Sequence, residues 1–208
     1  MKKLLALLFS VFLLNSPSVF ADDISDFQIE GMSIGDSLLD YMTEDEIFEE
    51  IKFTKDNYYY LNEPNKYTEV YLRKEFPVYK AGLSVFFKNN SSNKYVTNKN
   101  EKYKIVFIRG RINYVEDFSS CTIKRDEIVK VLSEMFPNIE KQEAVLVHPL
   151  DPSGNSIIDD ITFNFNSGDE LRASCSDWEE VFRNKNNYTE GLSIAIQSKE
   201  IGNWLSDY

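Results

Sequence analysis

Ile157-Ile158-Asp159-Asp160-Ile161-Thr162-Phe163-Asn164-Phe165, then Asn166-Ser167-Gly168-Asp169, then Leu171-Arg172-Ala173-Ser174-Cys175 is the stretch from which the fold is read. Apolar and polar residues alternate on both sides of the turn. Side chains two apart in a strand point the same way, so Ile161, Phe163 and Phe165 share one face, and Leu171, Ala173 and Cys175 share one face of the next strand. A short polar connection containing Gly is what a hairpin needs. An antiparallel hairpin with one apolar face is expected, and that face must be covered.

Working outward, Ala144 to Val147 and Leu192 to Ile196 read as further strands. Before them, Ser120 or Thr122 is expected to cap a helix carrying Ile128, Val129, Leu132 and Phe136, which Pro137-Asn138 ends. The first half has the same order. Asp36 or Ser37 caps a first helical turn with Leu38, Leu39 and Met42 inward, and Thr43-Glu44-Asp45-Glu46 has the form of a capping box before Ile47, Phe48 and Ile51. Residues 36 to 52 are thus a helical pair or one bent helix. Strands follow at Tyr58 to Leu61, Tyr67 to Leu72, Leu83 to Phe87, Tyr103 to Ile108 and Arg111 to Val115, with an exposed loop from Lys88 to Lys102. A last short helix is expected around Ile201, Trp204 and Leu205. The pattern predicts an α+β protein, its helices packed on one face of an antiparallel sheet, and allows two tandem helix-then-strands units, 22–118 and 119–208, to share that sheet within one domain.

The N-terminus has its own logic. Lys2 and Lys3 precede an apolar run from Leu4 to Leu14, and Val19-Phe20-Ala21 has the small-residue spacing of a signal-peptidase site. Residues 1–21 are expected to be a signal peptide cut after Ala21. The apolar run is shorter than the roughly 18 residues of a membrane span. The product, 22–208, would be periplasmic or secreted. Of 208 residues, 34 are acidic and 23 basic, a net charge of -11. Loss of Lys2 and Lys3 leaves 21 cations and a charge of -13. An acidic chain without a basic run is a poor match to a phosphate backbone, so nucleic acid is not an expected partner. Export licenses a disulfide between the only two cysteines, Cys121 and Cys175.

Ile29-Glu30-Gly31-Met32-Ser33, leading directly into a helix, resembles the strand-Gly-Met-Ser/Thr-helix start of small exported outer-membrane assembly lipoproteins of the BamE type and of the β-lactamase inhibitor proteins. The resemblance implies helices combined with an antiparallel sheet. The chain departs from the pattern by the insertion of Ile34-Gly35, by lacking the Leu-Gly pair that closes that helix, and by having no lipidated Cys. Phe27 to Ile47 is also similar to a group of exported proteins of marine α-proteobacteria, which implies a compartment and no activity.

The chemical motifs are few. Gly31-Met32-Ser33-Ile34-Gly35 matches the G-x-S-x-G nucleophile elbow, but only eleven residues of the expected product precede Ser33, too few for the strands and oxyanion loop of that motif. Ser33 is read as part of the helix start. His148 is the only histidine and is read as a structural or surface residue; zinc and copper, whose sites want several His and Cys ligands at close spacing, are not expected, and no cofactor is expected. Asp151-Pro152-Ser153-Gly154-Asn155 with Asp159 and Asp160 offers oxygen ligands without EF-hand spacing, and is read as a solvated loop with a weak calcium site as the alternative. Arg109-Gly110-Arg111 puts two guanidinium groups about a hairpin or bulge, read as internally ion-paired with a carboxylate or phosphate clamp as the alternative. Tyr58, Tyr59, Tyr60, Tyr67, Tyr71 and Tyr79 are core or a stacking surface.

These readings point to a secreted, non-enzymatic binding or envelope-associated module that recognises a protein or glycan through its sheet face and loops. Tyr58, Tyr60, Tyr67, Tyr71, Arg109 and Arg111 are the expected contacts. The rivals are a hydrolase using Ser33 or a carboxylate pair such as Asp159 and Asp160, and an inhibitor of an exported enzyme.

Overall fold

Thr43 opens the first long helix by the reciprocal bonds its sequence promised. Its backbone N–H donates to Glu46 Oε2 at 2.7 Å, and the Glu46 N–H donates to Thr43 Oγ1 at 3.3 Å. The structure, a computed structural model, describes residues 24–57, 66–80, 82–89, 98–149 and 151–207. Within it, helix α1 spans Glu44–Asn57 and is preceded by a separate single turn at Leu38–Asp40, capped by Ser37. Strands β1 (Tyr67–Leu72), β2 (Leu83–Lys88) and β3 (Ile105–Asn113) follow. Helix α2 (Phe118–Met135) then leads into β4 (Glu140–Val147), β5 (Ile157–Asn164) and β6 (Glu170–Asp177). Helix α3 (Glu180–Asn186) connects to β7 (Gly191–Gln197), and α4 (Lys199–Leu205) closes the chain.

All seven strands form one antiparallel sheet in the order β1-β2-β3-β7-β6-β5-β4. The protein is α+β, with helices packed on an antiparallel sheet. The two helix-then-strands units meet where β3 pairs with β7, Gly110 opposite Ile194 and Ile112 opposite Leu192. The expected hairpin is present in the expected register, Phe163 opposite Leu171 and Ile161 opposite Ala173, and its turn holds Gly168 at φ 87.

Three expectations are corrected. Tyr103 to Ile108 and Arg111 to Val115 are not two strands: β3 runs unbroken through Gly110, so Arg109-Gly110-Arg111 is neither hairpin nor bulge. Gly110 is there because the Tyr79 ring lies against it, where a Cβ would collide with the ring. The irregularity sits earlier, between Phe86 and Phe87, where Phe86 pairs with Phe107 but Phe87 pairs with Ile105. The extra residue lets Ile105 and Ile108, three apart, both face the main core. Second, α2 begins before Thr122 and Ser120. Asp117 is its cap, its side chain accepting from the Ser120 N–H at 3.1 Å, so Cys121 lies inside the helix. Third, helices occupy both faces. The main core gathers Val85, Phe87, Ile194, Ile196, Phe163 and Leu171 beneath α1 and α2, with Ile47, Leu132 and Phe136. The intervening residues Phe86, Phe107 and Ala195 point the other way, and α4 covers them with Ile201, Trp204 and Leu205.

Cys121 and Cys175 form a disulfide with Cα atoms 6.0 Å apart, tying the first turn of α2 to β6. Among the described residues, no helix is long and apolar enough to cross a membrane. The expected leader 1–21, the strand Tyr58 to Leu61 and residues 90–97 of the Lys88 to Lys102 loop lie outside the described residues.

Candidate functional site

Because side chains alternate along each strand, the face opposite α1 and α2 can be read as rows across the sheet. One row runs Tyr71, Ser84, Arg109, Ala195, Arg172, Thr162, Gln142. The next runs Arg111, Ser193, Ser174, Asp160, Ala144, and a third runs Asn113, Gly191, Ser176, Ile158, Leu146. Helix α4 covers only the end near Phe86 and Phe107. The middle of the remaining face carries small residues, Ser193, Ser174, Ser176 and Gly191, between Arg111 and Asn113 on one side and Asp160 and Ile158 on the other. The result is a shallow trough floored by hydroxyls. A small cavity there, lined by Arg111, Asn113, Ser176, Gly191 and Ser193 among others, holds about 10 Å³.

The charges on this face are set in pairs. Glu69 is 1% exposed, accepts from Ser84 Oγ, and lies 3.5 Å from Arg109 Nη2. Asp160 Oδ2 accepts from Arg172 Nη2 and from Thr162 Oγ1, each at 2.9 Å. A buried carboxylate without such partners would carry a desolvation cost of several kcal/mol. The pairing therefore lets a nearly flat face present guanidinium groups without repelling itself.

The expected contacts divide. Tyr71, Arg109 and Arg111 share this face, as their odd numbering in β1 and β3 requires. Tyr67 also points this way, but it is fully buried, packed edge-on against Trp204 at 5.3 Å, and holds α4 rather than meeting solvent. Tyr79 is buried against Gly110; burial, with Glu30 nearby, pushes its hydroxyl well above the ordinary tyrosine range. Tyr58 and Tyr60 lie outside the described residues. Ser174, Ser176, Ser193 and Arg172 were missed. Arg172 and Ser174 fall at the polar positions of the quoted hairpin, so the alternation marked their face; what gives them a place is the pairing of β6 with β7.

The other motifs are used locally. Ser33 is buried, its hydroxyl donating to the Phe27 carbonyl at 3.3 Å and its N–H to Asp36 Oδ2 at 2.9 Å. Asp159 and Asp160, adjacent in β5, point to opposite faces: Asp159 pairs with Arg125 on α2 at 2.6 Å, Asp160 with Arg172. They do not converge. Asp151 accepts from Ser153 N–H, Ser153 Oγ and Ser156 N–H at 2.8 to 2.9 Å, which turns its oxygens into the loop. Among the described residues, no group of three or more His, Cys, Asp or Glu is placed to hold a metal ion. His148 packs with Trp178 and Phe182 at 5.1 and 5.4 Å between ring centres, and Tyr188 completes the cluster.

Beside that cluster lies an open cleft of about 390 Å³ lined by Val115, Arg183, Asn184, Asn187, Tyr188, Thr189 and Glu190. Its guanidinium is occupied: Arg183 bonds buried Glu190 at 2.9 Å and Glu116 at 3.2 Å. Burial and the charge of Glu190 push the neighbouring Asp177 carboxyl up.

Comparison with known proteins finds no match to a family model, a curated protein or a solved structure.

Proposed function

We propose that the protein is an exported binding module of the cell envelope, freed of residues 1–21, that recognises a protein partner through the outer sheet face. The observation that carries this reading is the uncovered trough of Ser174, Ser176, Ser193 and Gly191 flanked by Arg109, Arg111 and Arg172. A flat face with hydroxyls, guanidinium groups and a tyrosine suits another folded surface better than it suits an enclosed sugar, because protein interfaces are extended and enriched in Arg and Tyr at their anchors. An inhibitor of an exported enzyme uses the same face and differs only in what it binds. The similarity of Ile29 to Ser33 to exported helix-plus-sheet modules accords with this.

The test is a comparison of parent protein with Ser193→Trp and Arg111→Glu variants as bait for periplasmic extract of the native organism. A partner that the parent retains and both variants lose, while the variants keep the parent's circular dichroism, supports the reading. A partner retained equally by all three places recognition elsewhere.

A further inference from the structure

We propose that β4 pairs antiparallel with β4 of a second copy of the chain, about a two-fold axis at Ala144, joining two seven-stranded sheets into one. This goes beyond the binding reading above and does not rest on it.

Among the described residues, strand β4 ends the sheet and pairs only with β5. Edge strands offer a row of backbone donors and acceptors, and proteins usually blunt them with charge, proline or a covering element. Here the charges stop at Glu143. Ala144-Val145-Leu146-Val147 follow, with Val145 66%, Leu146 46% and Val147 56% exposed. Neither face shelters them. Helix α2 packs chiefly on β6 and β7, and α4 lies at the other half of the sheet.

The strand is its own complement in one register. With the two-fold at Ala144, Glu140 faces His148 of the second copy, Lys141 faces Val147, Gln142 faces Leu146 and Glu143 faces Val145. No like charges oppose, an acid meets a histidine at each end, and the Lys141 stem lies along an exposed valine. Neighbouring registers are worse. A two-fold at Glu143 sets that carboxylate against itself. One at Gln142 leaves Val147 without a partner. One at Val145 gives up the Glu140–His148 pair and sets Lys141 against Pro149, which has no N–H to donate.

An axis that reverses an edge strand while extending the sheet stands perpendicular to it. Both troughs then face the same side, giving two copies of the outer face on one surface, an arrangement suited to bivalent attachment. The net charge of -11 on each chain opposes association until salt screens it.

Sedimentation equilibrium on the purified protein tests this, together with Ala144→Cys, Leu146→Cys and Val145→Lys variants. Because Cys121 and Cys175 are bonded to each other, each introduced cysteine is the one free thiol. The expected results are a species of twice the chain mass that strengthens with added salt, rapid disulfide-linked dimer from Ala144→Cys but not from Leu146→Cys, and a folded monomer from Val145→Lys. A monomer at every concentration and salt level overturns the proposal. So does faster cross-linking at position 146 than at 144, or a dimer that Val145→Lys leaves intact.

Discussion

At Gly110 a single missing Cβ fixes how two elements meet, because the Tyr79 ring rests where that atom would be. Gly110→Ala forces the ring or the strand to move, and overpacking of this kind costs about 1–3 kcal/mol. Urea unfolding should show the loss, and Tyr79→Ala combined with Gly110→Ala should cost less than the two changes summed, since the clash disappears with the ring. Asp151 gives a second prediction at this scale. Burial works against its charge, but hydrogen bonds from Ser156 and Ser153 outweigh it and hold the carboxyl well below the usual range. The unfolded chain takes up its proton near pH 4, where an ordinary Asp titrates, while the folded chain does not. The unfolded state then binds more protons, so the stability Asp151 contributes is complete above that pH and drains away in acid. A carbon-detected NMR titration of the folded protein should show no inflection for Asp151 across the ordinary carboxylate range. An inflection near pH 4 would contradict the hydrogen-bond account.

Among the elements, α2 is the one whose start was misplaced by sequence, and the two readings predict different mutants. If Asp117 is the cap, Asp117→Ala removes the bond to the Ser120 N–H and costs about 1 kcal/mol. Thr122 instead returns its hydroxyl to the Ser119 carbonyl at 3.0 Å, inside the helix. Thr122→Ala should therefore be close to neutral in thermal unfolding. The opposite ranking would restore the later start. Phe118 and Cys121, three apart, both turn toward the core, so the first turn of α2 is set by the contacts that carry Cys121 over β6.

For the molecule as a whole, the disulfide is the strongest single constraint. It links residues 54 apart in sequence, and a closed loop of that size removes about 4 kcal/mol of unfolded-state entropy before any native strain is subtracted. The Cys121→Ala, Cys175→Ala double variant should lose roughly 2–4 kcal/mol in urea unfolding. The slope m should rise as well, because the released unfolded chain exposes more surface. An unchanged midpoint would mean that Leu132, Val129 and Phe136, with the Arg125–Asp159 pair, hold α2 to the sheet without help from the disulfide.

What the sequence determined by itself is everything set within about ten residues. Alternation over Ile157 to Cys175 and the Gly168 turn specify a hairpin and its register, and Thr43 with Glu46 specifies a helix start, because those choices depend on local spacing and local hydrogen bonds. The pairing of Cys121 with Cys175 was legible too, since two cysteines offer each other one intramolecular partner. Tertiary structure decided the rest. That β3 joins β7, that Arg111, Ser193 and Ser174 form one row, that Asp159 and Asp160 separate, and that Tyr67 is buried under α4 all follow from which strands lie side by side. Such contacts join residues tens of positions apart, and their energy comes from burying both faces of one shared sheet, a quantity no local pattern records. Strand β4 shows the boundary: its apolar run marked it as a strand, but only the strand order made it an edge.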